Sequence, residues 1–237
     1  MIPKLSSKDL PKVQYVDLKN GERYAYRVYG EGPKTILFIT GYGGDSLLDQ
    51  LVLRHFDPKE FTVLDPEVRG AGESSYNQEL AHLSDVADDL KLFLDELKIT
   101  KLDGVVGLSM GGAIGPLFVG KYPEVTNKLA MLVPAPLNLS AHPCDPDWVR
   151  VKDRKYFEDW MEADVYEQSV KRLFNFRSRE TLLDHLLKNL NCLEEYKKVQ
   201  AKVLVAQADN DELFPVKVGE TIVELIGKDK AELAILE

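Results

Sequence analysis

Cysteine is almost missing from this chain, with Cys144 and Cys192 alone among 237 residues. Two such distant residues could pair with each other, but free thiols in a reducing compartment are the expected state. Histidine is scarce as well: four residues, at no spacing to each other or to the cysteines that suits a metal. No glycine-rich loop is followed by the Lys-Ser/Thr pair that a phosphate cradle needs, so neither a metal nor a nucleotide cofactor is expected. A basic excess is also missing. Acidic residues outnumber basic ones by 39 to 30, giving a net charge of -9, which disfavours nucleic acid or an anionic membrane as the main partner. The first nine residues lack the apolar core of a signal peptide. The one long uncharged run, residues 104–120, is broken by glycines and Pro116, and it reads as a buried strand, turn and helix rather than a membrane span. A cytoplasmic, soluble protein fits these absences best.

What the chain does contain is an alternating α/β rhythm. Two apolar-polar runs, residues 13–18 and 22–29, flank Asn20-Gly21 and predict an antiparallel hairpin. Residues 35–39 and 61–64 read as buried strands. Residues 84–97 read as a helix with Val86, Leu90, Phe93, Leu94 and Leu97 on one stripe and Ser84 as its N-cap. A strand over 102–106, a helix to about residue 122 and a strand over 128–133 continue a pattern that implies right-handed crossovers and a mainly parallel sheet. The β rhythm then stops. Residues 137–199 are charged, aromatic and helical in pattern, and their basic residues are interleaved with acids, which gives a solvated amphipathic surface rather than an RNA-binding one. Sheet rhythm resumes at residues 203–206, a helix follows Pro215, and residues 231–236 form a last strand. The expected layout is a core over 1–136, a helical cap insertion over 137–199, and the rest of the core over 200–237.

Chemistry is suggested first by Gly107-Leu108-Ser109-Met110-Gly111, at the junction of an apolar β-branched run and a helix. A serine on a sharp strand-to-helix turn projects its hydroxyl above the sheet, and the glycines let neighbouring backbone approach. The pattern alone arises by chance in roughly one chain in ten of this length. Three other stretches at predicted strand ends add weight. Thr40-Gly41-Tyr42-Gly43-Gly44 could present a backbone N–H, from Tyr42, beside that of Met110 to a tetrahedral oxyanion. Glu67-Val68-Arg69-Gly70-Ala71-Gly72-Glu73-Ser74 suits a tight loop with Arg69 pinned by hydrogen bonds, a structural role. Residues 208–215 place carboxylates, Asp211 among them, at the same sheet edge as Ser109.

Together these residues make the chain resemble the α/β-hydrolase superfamily over nearly its whole length, in a serine-nucleophile, helical-cap branch. The resemblance implies a mainly parallel α/β-hydrolase sheet and Ser109 as nucleophile. It also implies Asp211 as the acid that orients a histidine, and the N–H groups of Tyr42 and Met110 as the oxyanion hole. The implied activity is hydrolysis of a small carboxylic ester, thioester or lactone through an acyl-enzyme. Thr40 stands where relatives often have histidine, and Glu67 replaces the usual aspartate before Arg69. The family's catalytic histidine follows the final strand, just beyond Glu237, so the expectation is a shortened product of an active hydrolase, without its last helix and with an exposed edge at Leu233, Ile235 and Leu236. Among the histidines present, His55, His82 and His185 read as peripheral, and His142 is the one candidate substitute. The alternative is a histidine-less pseudoenzyme that binds a small apolar ligand or a partner protein.

Overall fold

The computed structural model describes residues 4–42, 45–80, 82–135, 159–174, 193–211 and 214–236. Eight strands form one sheet: β1 (Gln14–Asp17), β2 (Arg23–Tyr29), β3 (Lys34–Ile39), β4 (Phe61–Pro66), β5 (Gly104–Leu108), β6 (Lys128–Leu132), β7 (Lys202–Ala208) and β8 (Ala231–Leu236), in the order β1-β2-β4-β3-β5-β6-β7-β8. The expected hairpin is present, with Asp17 opposite Arg23, and β2 continues antiparallel onto β4. Its turn closes through the Leu18 N–H to the Glu22 carbonyl at 2.7 Å, and Gly21 takes the left-handed conformation, φ +87°, that Asn-Gly foretold. From β4 to β8 every neighbouring pair is parallel. The order doubles back between β4 and β5, with β3 between them, so chain ends meet where β3 and β5 lie side by side.

Helices among the described residues are α1 (Gln50–Leu53), α2 (Ser84–Glu96), α3 (Met110–Lys121), α4 (Ala163–Phe174), α5 (Leu193–Lys197) and α6 (Val216–Ile226). The α2 stripe is buried as its spacing demands, with Val86, Leu90, Phe93 and Leu94 at 0% exposure. Its start differs from the expected Ser84 N-cap. The helix opens at Ser84 itself, and Asp85 reaches back to accept the His82 N–H at 3.0 Å, a carboxylate being the better partner for the dipole's positive end.

One sheet face packs Leu37, Ile39, Val105, Leu129, Met131, Val203 and Val205 against α2, α3 and α6 in the main core. Tyr196 of α5 also belongs there, its hydroxyl donating to the Ala113 carbonyl of α3 at 3.3 Å. The opposite face carries a smaller cluster, Ile36, Phe38, Val63 and Val106, with Leu53 of α1. Toward the N-terminal strand ends this face is open, and a cavity of about 600 Å³ runs over Ile36, Val106, Ala130 and Leu204 between Lys34, Lys128 and Lys202. At the β8 edge Ile235 and Leu236 are exposed, as anticipated, whereas Leu233 packs against the main core. Most of the expected cap, together with Cys144, Cys192, His142 and His185, lies outside the described residues. Within that stretch, α4 is tied to the N-terminal segment through Leu5, Met161 and Val165.

Candidate active site

The C-terminal ends of β3, β5, β6 and β7 lie along one edge of the sheet, and the loops leaving them form the site. At the end of β5 the chain turns abruptly into α3, and Ser109 makes the turn with φ 52° and ψ -110°. A left-handed φ at a non-glycine residue costs on the order of 1–3 kcal/mol and persists only where neighbours over-determine it. Here they do. The Ser109 N–H donates to Leu132 at the end of β6, while its carbonyl accepts from Ala135 at 2.9 Å and from Ala113 at 3.3 Å.

The flanking glycines show why no other residue fits. A Cβ on Gly107 would lie 2.2 Å from the Gly111 carbonyl oxygen, and one on Gly111 would lie 1.9 Å from that of Ile39. A Cβ on Gly112 would also be too close, 2.8 Å from the Pro134 Cα. The elbow is therefore pressed from two sides, by the end of β3 and by residues 133–135. Val133 itself is held at φ 39°, a second strained position beside the first. The support from Val133, Pro134 and Ala135 had no motif to announce it; the Pro134 and Pro136 pair after an apolar strand was its only trace.

The loop after β3 reaches the serine directly: Gly41 packs with its Cα hydrogens facing the Ser109 side chain, where a Cβ would be 3.4 Å from that of Ser109. Tyr42, next in the chain, is half-buried against the main core; Gly43 and Gly44 lie outside the described residues. Met110 is buried as the first residue of α3, so its N–H belongs to the helix's unpaired first turn. Ser109 is half-buried.

Two strands away, β7 ends in a turn that Asp211 and Gln207 organise. The Phe214 N–H donates to Asp211 Oδ1 at 2.9 Å, and the buried Gln207 amide donates to the Phe214 carbonyl. The loop after β4 is pinned as its glycines and arginine suggested. Arg69 donates from Nε and Nη2 to both Asp89 oxygens in the interior, at 2.8 and 2.6 Å, and from Nη1 to the carbonyl of the exposed Gln78. Gly72 leaves room for the Glu67 carboxylate, which a Cβ would meet at 2.1 Å.

Of the described histidines, His55 is exposed just after α1, and His82 has its Nδ1 on Ser84 at 2.9 Å. Among the described residues no group of three or more His, Cys, Asp or Glu is arranged to hold a metal ion, and no helix is long and apolar enough to cross a membrane. The 600 Å³ cavity lies at the opposite strand ends and is no part of this site.

A parallel sheet with a reversal at β3, a strained serine on the strand-to-helix turn beside it, and a glycine loop against that serine define a protein of the α/β class with a sharp strand-to-helix elbow. The sequence matches the alpha/beta hydrolase fold family over residues 34–201, and the chain belongs to that family. An enol-lactonase from Burkholderia xenovorans has the same fold, at a TM-score of 0.74 and 16% identity over 94% of this chain and 91% of that one. A hydrolase from Pseudomonas aeruginosa gives 0.73 and 18% over 95% and 90%. Among curated sequences, the dihydrolipoyllysine-residue acetyltransferase component of the acetoin cleaving system of Cupriavidus necator is 33% identical over 123 residues, 51% of this chain and 32% of that protein. The chain thus aligns with about a third of the length of the curated relatives it matches.

Proposed function

We propose that this protein is a cytoplasmic serine hydrolase that cleaves a small carboxylic ester, thioester or lactone through an acyl-enzyme on Ser109, with residues 137–199 forming a helical cap over the site. The observation that carries the proposal is the strained Ser109 conformation, held from both sides and facing Gly41. Such strain recurs where a side chain must be presented rather than packed. In this reading the N–H groups of Tyr42 and Met110 receive the oxyanion as the carbonyl oxygen gains charge, which is the largest stabilising effect in acyl transfer. Asp211 orients an imidazole that takes the Ser109 proton on attack and returns it to the leaving alcohol or thiol. Two strand spacings separate β5 from β7, roughly 10 Å, a gap that one histidine bridges. Of the histidines in the chain, His142 is the candidate for that role, and it lies outside the described residues. Water then attacks the acyl-enzyme by the same proton path.

A second reading, a pseudoenzyme that binds a small apolar ligand or a partner protein, is favoured by one observation: His55 is exposed and His82 is engaged by Ser84. A fluorophosphonate probe and a panel of short-chain nitrophenyl esters separate the two. The natural protein is labelled at Ser109 and turns over ester, and Ser109→Ala loses both. Ligand binding without labelling or turnover supports the pseudoenzyme instead.

A further inference from the structure

Four carboxylates are buried together behind the loop that follows β3: Asp45, Asp49, Asp65 and Glu67, none more than 3% exposed. Two take hydrogen bonds of 3.0 Å or shorter, Asp45 through its Oδ1 and Glu67 through both oxygens. Asp45 Oδ1 accepts from the backbone N–H groups of Leu47 and Leu48, each at 3.0 Å. Glu67 accepts the Ser46 hydroxyl and the Glu73 N–H, each at 2.6 Å, and Ser46 accepts from Arg27 Nε at 3.0 Å.

Asp49 and Asp65 differ. Gln50 donates to Asp65 Oδ2 at 3.3 Å, but with both groups written as carboxylates, Asp65 Oδ1 and Asp49 Oδ2 are buried with no donor at all. The two groups are neighbours, and Thr40 Oγ1 is buried beside Asp49, likewise with no partner at hydrogen-bond distance. A single proton between them turns two deficient acceptors into one donor and one acceptor. Thr40 connects this pair to the site. It immediately precedes Gly41, which lies against Ser109, and its carbonyl oxygen is one of the atoms pressed on Gly111.

We infer that Asp49 and Asp65 share a proton and, through the Thr40 hydroxyl, position the Gly41–Tyr42 backbone against Ser109, so that acyl transfer is sensitive to pH from outside the triad. This inference rests on the reading of Ser109 as the nucleophile. Asp49 and Asp65 are positioning residues, since Thr40 stands between them and the reacting atoms. Burial is the main reason that Asp49 is pushed up to about 8, helped by Asp45 and Glu67, and burial with Asp49 beside it holds Asp65 well above the ordinary carboxylate range. The charged groups packed around the pair are Asp45 and Glu67, with the Arg27 guanidinium one hydroxyl away on Ser46. A carboxyl whose folded pKa is raised contributes stability fully present below its unfolded pKa, about 4, and lost as pH rises toward the folded value.

The test measures fluorophosphonate labelling rate, kcat, KM and melting temperature from pH 6 to 9.5 for the natural protein, Asp49→Asn, Asp65→Asn and Thr40→Val. Asparagine mimics the protonated acid in shape and cannot ionise. Expected are a melting temperature that falls with pH in the natural protein but about half as far or less in either asparagine variant, and an alkaline fall in labelling that those variants lose. Thr40→Val lowers kcat at every pH with KM little changed, which a merely structural loss of stability would not do. Melting and labelling limbs in Asp49→Asn and Asp65→Asn equal to those of the natural protein overturn the inference. If Asp49→Asn fails to fold, Asp65→Asn decides alone. If the natural protein is labelled at no pH, the nucleophile reading falls and the positioning role with it, while the melting curves still report whether the proton is there.

Discussion

Replacing Gly111 by alanine probes the elbow at its tightest point. The added Cβ would stand 1.9 Å from the Ile39 carbonyl oxygen and 2.8 Å from that of Thr40, both backbone atoms with no side-chain freedom to yield. To reach even the shortest ordinary contact, the end of β3 and the start of α3 must separate by about 1 Å, a displacement that at a catalytic centre costs on the order of 10²-fold in rate. Ile39 is paired with Gly107 across the β3–β5 ladder, so the strain reaches the sheet as well. Overpacking of this kind destabilises by about 1–3 kcal/mol, and for a chain of this size each kcal/mol lowers Tm by about 2–4 °C. Gly104→Ala, in the same strand, is the control: its Cβ would meet the flexible Ile36 Cδ1 at 3.4 Å, an ordinary contact. Thermal melting followed by circular dichroism and ester turnover are the assays. Gly111→Ala is expected to melt lower and to lose most of its turnover while Gly104→Ala keeps both. If the two variants behave alike, the close approach of β3 to the elbow is not what holds Ser109.

Asp211→Asn keeps an oxygen for the Phe214 N–H and so keeps the turn, but removes the charge that orients an imidazolium in the proposed mechanism; kcat is expected to fall by about 10³–10⁴-fold with Tm nearly unchanged. A variant within tenfold of the natural rate would move the acid elsewhere, and Asp209 on the same turn is the next residue to change. Arg69→Met leaves Asp89 and Glu22 buried without their cation, and equilibrium denaturation is expected to show a loss of about 3–5 kcal/mol. A loss below about 1 kcal/mol would mean that the Asp89 carboxylate finds other donors, such as the Tyr24 hydroxyl and Asn20 amide already on it.

Much of the sheet is written in periodicity. Strands β3, β5 and β7 are short, mostly apolar and mostly buried runs, and such runs end at glycine or a turn residue within a position or two of where the ladder stops. Gly107 and Gly111 were legible for the same reason, since glycine is the residue that close backbone approach demands. The support behind them was not. Ala135 holds the Ser109 carbonyl through its backbone N–H, a contact that leaves no mark on side-chain identity, and Val133 adopts a left-handed φ that its β-branched side chain argues against.

Arg69 and Asp65 show how far charge can be read in sequence. Both follow or end the same strand, both are buried, and neither position would be filled by an ionisable residue without compensation. For Arg69 the compensation is near in sequence, a glycine-rich loop and Asp89 on the next helix, and its structural role was expected from the chain. For Asp65 it comes from Asp49 and Gln50 across the β3–β4 connection and from a proton that has no letter in a sequence. Asp65 stands in the run Phe61-Thr62-Val63-Leu64-Asp65-Pro66, where a carboxylate at a core position is the anomaly that points to it. A charged letter in an otherwise apolar strand is a reason to look for a partner that changes its protonation. Here that partner lies beside Thr40, which immediately precedes the Gly41 that packs against Ser109.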